Sequence, residues 1–320
     1  MAANRPLAIA IDLGGTQLRA ALFLADEMQT RAALPTDVSG GPIAILQQME
    51  ALIEQVCEGV DKSQIAGVGL SMAGPVDTKS GIALGIPTLP GWTDYPIKFE
   101  LTKRTSLPVI VENDAIASTL GEWRYGAGRG VQNLVYLTVS TGIGGGAVID
   151  GRLVHGRKGM AAHIGHMRLT QNGPECSCGA IGCFEALASG TALAKRAQNV
   201  VGADQTTYLG VAKKNGLIKA IDVIDGARSG DKQCISLVEE EAKYLGQGIT
   251  SLIHVFSPEL VVIGGGMSQA FDLLEANINA VIRSDAMEPF KDVPVVRSAL
   301  GDNSGLVGAA TMFQVLKTSD

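Results

Sequence analysis

The alternation of apolar and polar positions divides the chain into two similar cycles. Residues 7–11 are apolar and β-prone and end at Asp12; the turn Gly14-Gly15-Thr16 follows, then a second apolar segment at 18–24. Strand, glycine tip, strand predicts a hairpin. Ile43, Leu46, Met49, Ile53 and Val56 recur at helical spacing over 42–57. Residues 65–71 predict a strand that runs into Ala73-Gly74-Pro75, and 109–111 a short one. Beyond it, Asn113 or Asp114 is placed to cap a helix that reaches about Tyr125. Glycine and proline punctuate 81–96 around Trp92, which predicts a loop, and 26–42 and 126–131 are expected to be loops or hinges.

The second cycle starts with a strand at 133–139, a turn at 140–146 and a strand at 147–149. Repetition of one supersecondary unit implies two related halves. Helices are expected near 185–199, 207–214, 218–228 and 231–254. A buried strand at 260–263 opens into Gly264-Gly265-Gly266, and helices near 269–284 and 304–316 bracket a last strand near 294–298.

Composition narrows the class. With 320 residues the chain exceeds what one core usually serves, so two domains are expected. An apolar content of 46%, a charged content of 18% and 40 glycines suit a compact α/β enzyme with many tight strand–helix turns. A net charge of −6, with no basic cluster longer than two residues, argues against a nucleic-acid surface. The first residues lack the basic head and long apolar core of a signal peptide, and no apolar run is long enough to span a membrane. With thiols in place of an even disulfide framework, these features point to a cytoplasmic protein.

Four segments carry candidate chemistry. His166, Cys176, Cys178 and Cys183 fall close together, with glycines at 173, 179 and 182 between or beside the cysteines. Thiolates and an imidazole are the donors of a closed structural Zn²⁺ site. Cys57 and Cys234 sit in helical apolar patterns and read as core. Asp12 stands at a strand end before Gly14, Gly15 and Thr16, where backbone N–H groups can meet phosphate oxygens and the carboxylate can hold Mg²⁺ through water. Thr141, Gly142, Gly144 and Gly145 repeat this logic, as do Gly264, Gly265 and Gly266. Neither a Walker A lysine nor a Rossmann glycine pattern occupies the first turn. In Glu112-Asn113-Asp114, Asp114 is either a helix cap or the base that takes a proton from a hydroxyl attacking phosphorus, with Asn113 orienting the substrate. Glu185 follows Cys183 on a loop that zinc would hold rigid.

On these motifs the chain resembles, over essentially its whole length, the ROK family of sugar kinases and sugar-responsive repressors. The resemblance implies a two-domain actin-like ATPase (ribonuclease H-like) α/β fold with an interdomain cleft and an inserted zinc-binding loop. It implies a smaller N-terminal domain over 1–125, onto which the last helix 304–316 packs back, and a larger one over 126–303 carrying zinc and helical insertions. The family's DxGGT phosphate motif matches Asp12 to Thr16, and its second phosphate loop Thr141-Gly-Ile-Gly-Gly145. Its glycine loop near adenosine matches Gly264-Gly-Gly266, and its END motif makes Asp114 the catalytic base. The zinc signature, GH followed by CxCGxxGCxE, matches Gly165-His166 and Cys176 to Glu185. Gly74, Asn113, Asp114, His166 and Glu185 become sugar contacts by the same resemblance. His163 stands where the family usually has a sugar-binding glutamate; an imidazole offers one hydrogen bond where a carboxylate offers several acceptor sites.

The expected activity is ATP- and Mg²⁺-dependent phosphorylation of a hexose 6-hydroxyl, glucose foremost. N-acetylmannosamine, N-acetylglucosamine, fructose and mannose are the alternative acceptors, and a non-catalytic sugar-binding regulator is the alternative class. A DNA-binding repressor would place its helix-turn-helix before the first strand, where six residues stand. A homodimer or dimer of dimers is expected.

Overall fold

The computed structural model describes residues 7–86, 89–202, 206–214 and 216–315. The chain forms two compact units, one of Met1–Gly130, Leu153–Ala161 and Ala299–Asp320, the other of Val131–Arg152 and Ala162–Ser298. Leu153–Ala161 is a segment of the first unit that the sequence pattern did not separate from its neighbours.

The first unit begins with β1 (Leu7–Leu13), β2 (Gln17–Leu24) and β3 (Glu27–Pro35), then α1 (Gly41–Val56) and β4 (Ile65–Met72). Three short strands follow, β5 (Val76–Asp77), β6 (Ile82–Ile86) and β7 (Leu89–Tyr95), before α2 (Ile97–Thr105), β8 (Val109–Asn113) and α3 (Asp114–Tyr125). The main sheet has the order β3-β2-β1-β4-β8. β1 and β2 pair antiparallel from Leu7↔Leu24 to Leu13↔Leu18, whereas β4 runs parallel to β1 and β8 parallel to β4. α1 buries Ile45, Leu46, Met49, Leu52, Ile53 and Val56 in the core. Ile43, assigned by spacing to the same stripe, is 63% exposed in the first turn.

Two expected loops contain strands. Over 81–96 the chain forms β6 and β7, with Ala83, Ile86, Leu89 and Trp92 buried. Register shifts between β6 and β7 interrupt the strict alternation that would have revealed them. Within 26–42 lies β3, an edge strand with only Ala32 buried, so its sequence is polar like a loop's.

The last helix (Ser304–Val315) packs on α3, β1 and β4. Buried Glu122 of α3 ties it there: its carboxylate accepts from the Leu300 N–H (2.9 Å), the Ala299 N–H (3.2 Å), the Ala127 N–H (2.9 Å) and Ser304 Oγ (3.3 Å). Four donors offset the desolvation of a buried carboxylate. Position 316 of the expected helix and the opening residues 1–6 lie outside the described residues.

The second unit holds β9 (Leu134–Val139), β10 (Ile143–Ile149), the Arg152 end of β11 (Arg152–Leu153) and then the helices α4 (Phe184–Ala188), α5 (Gly190–Val200), α6 (Tyr208–Lys214), α7 (Ala220–Arg228) and α8 (Lys232–Phe256). β12 (Leu260–Gly264), α9 (Phe271–Asp285) and β13 (Val295–Arg297) complete it. Its sheet order is β11-β10-β9-β12-β13. The helix expected over 185–199 is broken at Ser189, whose side chain accepts from the Ala192 N–H and caps α5. No described helix is long and apolar enough to cross a membrane.

Candidate functional site

In the first unit, the end of β1 carries Asp12 into a tight turn. The Gly14 N–H donates to Gln17 O (3.0 Å), and Thr36, at the end of β3, donates its hydroxyl to Gly14 O (2.8 Å) and its N–H to Thr16 O (3.1 Å). Asp12 accepts from Ser71 Oγ of β4 at 2.9 Å, with the Arg19 guanidinium 3.7 Å from its other oxygen. Burial raises the Asp12 pKa, opposed by Ser71 and Arg19. A half-buried carboxylate at a strand end fits Mg²⁺, which takes one or two carboxylates and completes its shell with water and phosphate oxygens.

β8 delivers the second carboxylate. Asn113 is the cap of α3: its Oδ1 accepts from the N–H groups of Ala115 (3.0 Å) and Ile116 (3.3 Å), and its Nδ2 donates to Gly74 O at 3.1 Å. Asp114 is therefore the first helical residue; Asn113 is the N-cap, and Asp114 Oδ1 shares the Ala115 N–H with it at 2.8 Å. Burial and then the negative charge of Asp12 push the Asp114 carboxyl up to about 6. A carboxylate with that affinity for a proton suits a general base near neutral pH. Preceding them, Glu112 is buried; its Oε1 accepts from the Asn113 N–H and its Oε2 lies 2.9 Å from His155 Nε2.

In the second unit, the predicted glycine turn is shorter than expected. β10 begins at Ile143, so Gly144 and Gly145 lie in the strand, paired with Thr138 and Leu137. The turn itself is Ser140, Thr141 and Gly142, closed by the Ser140 N–H on Gly142 O (2.9 Å). Gly145 serves packing: a Cβ there would fall 2.3 Å from Ile164, in the 3-10 turn that carries His166. Gly264 ends β12, and Gly265 and Gly266 open the next 3-10 turn.

A cavity of about 560 Å³ opens beside these turns, lined by Ser140, Thr141, Gly190, Thr191, Gly266 and Met267 among others. Its wall is largely apolar, with Ile218, Ile221 and Ile224 among the lining residues beside Lys219 and Arg228. The Gly190 N–H at the start of α5 donates to Ser140 O (2.7 Å), and both residues line the cavity.

His166, Cys176, Cys178 and Cys183 bring one donor atom each within 4.8 Å of one another. Cys176 Sγ lies 3.6 Å from His166 Nδ1, and Cys178 Sγ 3.8 Å from Cys183 Sγ. In a tetrahedron with Zn–S bonds of ~2.3 Å, neighbouring sulfurs are roughly 3.8 Å apart, so the four donors fit zinc. Burial, with Cys176 and Cys178 beside it, pushes the Cys183 thiol up to about 12; three thiolates so close need a cation among them.

Glu185 joins this loop to the turn. Its Oε2 accepts from the Ile143 N–H at 3.0 Å and its Oε1 from Ser177 Oγ at 2.9 Å, and a Cβ on Gly142 would fall 2.5 Å from Oε2. His163 is exposed, its ring roughly parallel to that of His166 at 6.5 Å between centroids.

Residues 8–315 match the ROK family. The chain belongs to the ROK family. Its ROK relatives include a glucokinase of Halalkalibacterium halodurans, 34% identical over 317 residues that cover 97% of this chain and 96% of the relative. An N-acetylmannosamine kinase of Escherichia coli is also 34% identical, over 309 residues that cover 96% and 98%. Among solved structures, a ROK family glucokinase from Streptomyces griseus in complex with glucose and AMPPNP superposes with a TM-score of 0.83 at 33% identity, covering 96% of this chain and 98% of that one. The ROK, actin-like ATPase fold expected from the motifs is the fold found.

Several residues of the site gave no sequence signal. Ser71 on β4, Arg19 on β2 and Thr36 just past β3 reach the first turn, His155 reaches Glu112 as a single residue outside any motif, and Ser177 reaches Glu185 from a variable position of the zinc signature. Only strand pairing and loop closure bring them there.

Proposed function

We propose that this ROK-family, ATP-dependent sugar kinase transfers the γ-phosphoryl group of ATP to the 6-hydroxyl of glucose. The observation that carries the chemistry is Asp114: standing one residue inside the Asn113 cap and raised to about 6 by burial and Asp12, it suits proton abstraction from an alcohol. As the sugar O6 bonds to phosphorus, its proton passes to Asp114 Oδ and the β–γ bridging oxygen leaves with ADP. Such a transfer asks the protein for position and charge rather than covalent chemistry.

Asn113, Gly74, His163, His166 and Glu185 are the proposed sugar contacts. Asn113 keeps a second amide hydrogen for a hydroxyl after its bond to Gly74 O. The backbone around Gly14, Gly15 and Thr16, and around Thr141, Gly142 and Gly144, is proposed to hold phosphates, with the adenosine in the cavity beside Gly264, Gly265 and Gly266. Mg²⁺, when bound near Asp12, supplies charge neutralisation for the β- and γ-phosphates. Zinc, when bound by His166, Cys176, Cys178 and Cys183, stiffens the loop that carries His166 and Glu185. A homodimer is the proposed assembly, because twofold closed forms predominate among soluble oligomers.

The glucokinase relatives support glucose; the equally identical N-acetylmannosamine kinase supports a second reading in which an N-acetylated sugar is the acceptor. A panel of glucose, mannose, fructose, N-acetylglucosamine and N-acetylmannosamine with MgATP decides between them. Glucose should give the highest kcat/KM. A higher value for N-acetylmannosamine would replace the first reading with the second.

A further inference from the structure

The segment Leu153–Ala161 belongs to the first unit although its neighbours on both sides in the chain belong to the second. It is held at two places. Near its middle, the Thr78 N–H donates to Lys158 O (3.2 Å), and Lys158 Nζ lies 3.6 Å from Asp77 of β5. At its start, His155 Nε2 meets Glu112 Oε2 at 2.9 Å, beside the proposed base. The segment is also braced on itself by the Ala161 N–H on His155 O at 3.0 Å.

Glu112 has no surface role: it is 4% exposed at the end of a buried strand. Its Oε1 holds the Asn113 N–H at 2.9 Å, so the carboxylate fixes the peptide immediately before Asp114. The 2.9 Å contact to a carboxylate oxygen is made by the forms of His155 that carry hydrogen on Nε2. Without that partner, a buried oxygen of Glu112 would lose its bond and the side chain would turn toward water. The strand end that sets the Asn113 and Asp114 directions would lose its brace.

We propose that His155 is a positioning residue for phosphoryl transfer, acting through Glu112 to hold the Asn113–Asp114 peptide in its reactive orientation. It rests on the reading of Asp114 as base. The bond to Glu112, and Glu112's charge, also raise the His155 pKa against the opposing effect of burial, which reflects how strongly the carboxylate holds the ring. The inference adds a residue that touches neither sugar nor phosphate to the determinants of turnover.

The test is a kinetic comparison of His155→Ala and His155→Gln in the wild-type and Asp114→Asn backgrounds, with thermal melting of each protein. Gln carries a side-chain N–H at nearly the reach of Nε2. His155→Ala should lower kcat roughly tenfold, less than the ~10²-fold that a displaced reacting group can cost, while KM for ATP stays within about twofold. His155→Gln should recover most of the loss. In the Asp114→Asn background, His155→Ala should cause no further drop, because the group it positions is gone. A folded His155→Ala with wild-type kcat, or an equal loss from Ala and Gln, would overturn the proposal. So would an equal additional loss with and without Asp114. Normal turnover in Asp114→Asn alone would instead remove the base reading, and the positioning role with it; a dead Asp114→Asn beside a normal His155→Ala would remove only the latter.

Discussion

The two sheets are built alike and furnished differently. Each places an antiparallel hairpin next to two parallel strands, in the orders β3-β2-β1-β4-β8 and β11-β10-β9-β12-β13. Each puts a glycine turn at the hairpin tip. In the first, the charge at the turn comes from the strand itself: Asp12 ends β1, and Ser71 on the neighbouring strand holds it. In the second, no carboxylate lies on β9 or β10. Glu185 arrives from α4, after the cysteine loop, and caps the turn through the Ile143 N–H. A carboxylate on a strand is placed by the sheet's own hydrogen bonds. One brought by a loop must be placed by something else: here the Ser177 hydroxyl, inside the cysteine loop, holds its other oxygen at 2.9 Å.

The largest expected effect removes the strand-borne chemistry. Asp114→Asn should cut turnover by ~10²-fold or more while sugar binding survives. The same variant should melt higher at neutral pH. A carboxyl raised from 3.8 to about 6 in the folded state binds its proton more tightly there than when unfolded. Its favourable contribution is complete below 3.8 and is lost as pH rises through about 6. Removing the charge should therefore return on the order of 1–3 kcal/mol at pH 7. Near-normal turnover, or a lower melting temperature for the mutant at pH 7, would break the assignment.

Next in size is the loop-borne half. Purified protein should contain one zinc per chain by elemental analysis. Chelation should cost roughly 10–100-fold in kcat/KM and lower the melting temperature. Because Glu185 joins the zinc loop to the turn at Ile143, KM for ATP should rise along with KM for sugar. A rise in sugar KM alone would confine zinc to the sugar side and sharpen the contrast between the two sheets.

A smaller effect follows from pH alone. With Asp114 required as carboxylate, kcat/KM should be level above pH 7 and fall through about 6, to roughly a tenth of its plateau near pH 5. A pH–rate profile without an acid limb between 5 and 7 would contradict a raised base. Smallest of all, His163→Glu should change the ratio of kcat/KM among sugars several-fold without changing turnover on the best one, since it alters one hydrogen-bonding group. Unchanged ratios across the sugar panel would leave His163 without a role in selection.

Much of the fold was legible in the chain. Apolar runs at 7–11, 65–71, 133–139 and 260–263 became the central strands, because a strand buried on both sides has to be apolar along its length. The zinc donors were legible because a closed site needs its ligands near in sequence, with glycines to turn between them. Edge and bulged strands were not: β3 is polar because one side meets water, and β6 and β7 lose their period at register shifts. The turn at 140–146 was overextended, since Gly144 and Gly145 look like loop residues but lie in β10, where Gly145 makes room for Ile164.

By itself, then, the sequence determined the repeated strand–turn units, the cysteine cluster and the identity of the carboxylates, all of which depend on residues close together in the chain. Tertiary structure alone decided that Asn113 is the cap and Asp114 the first helical residue, with Gly74 O, from the turn after β4, accepting from Asn113 Nδ2. It alone decided that Glu122 draws the last helix onto α3, that Ser177 and Ile143 share Glu185, and that His155 reaches Glu112 across 43 positions of chain. Such pairings follow from where folding returns the backbone, and no local pattern encodes the distance between residues that meet only after the core has closed.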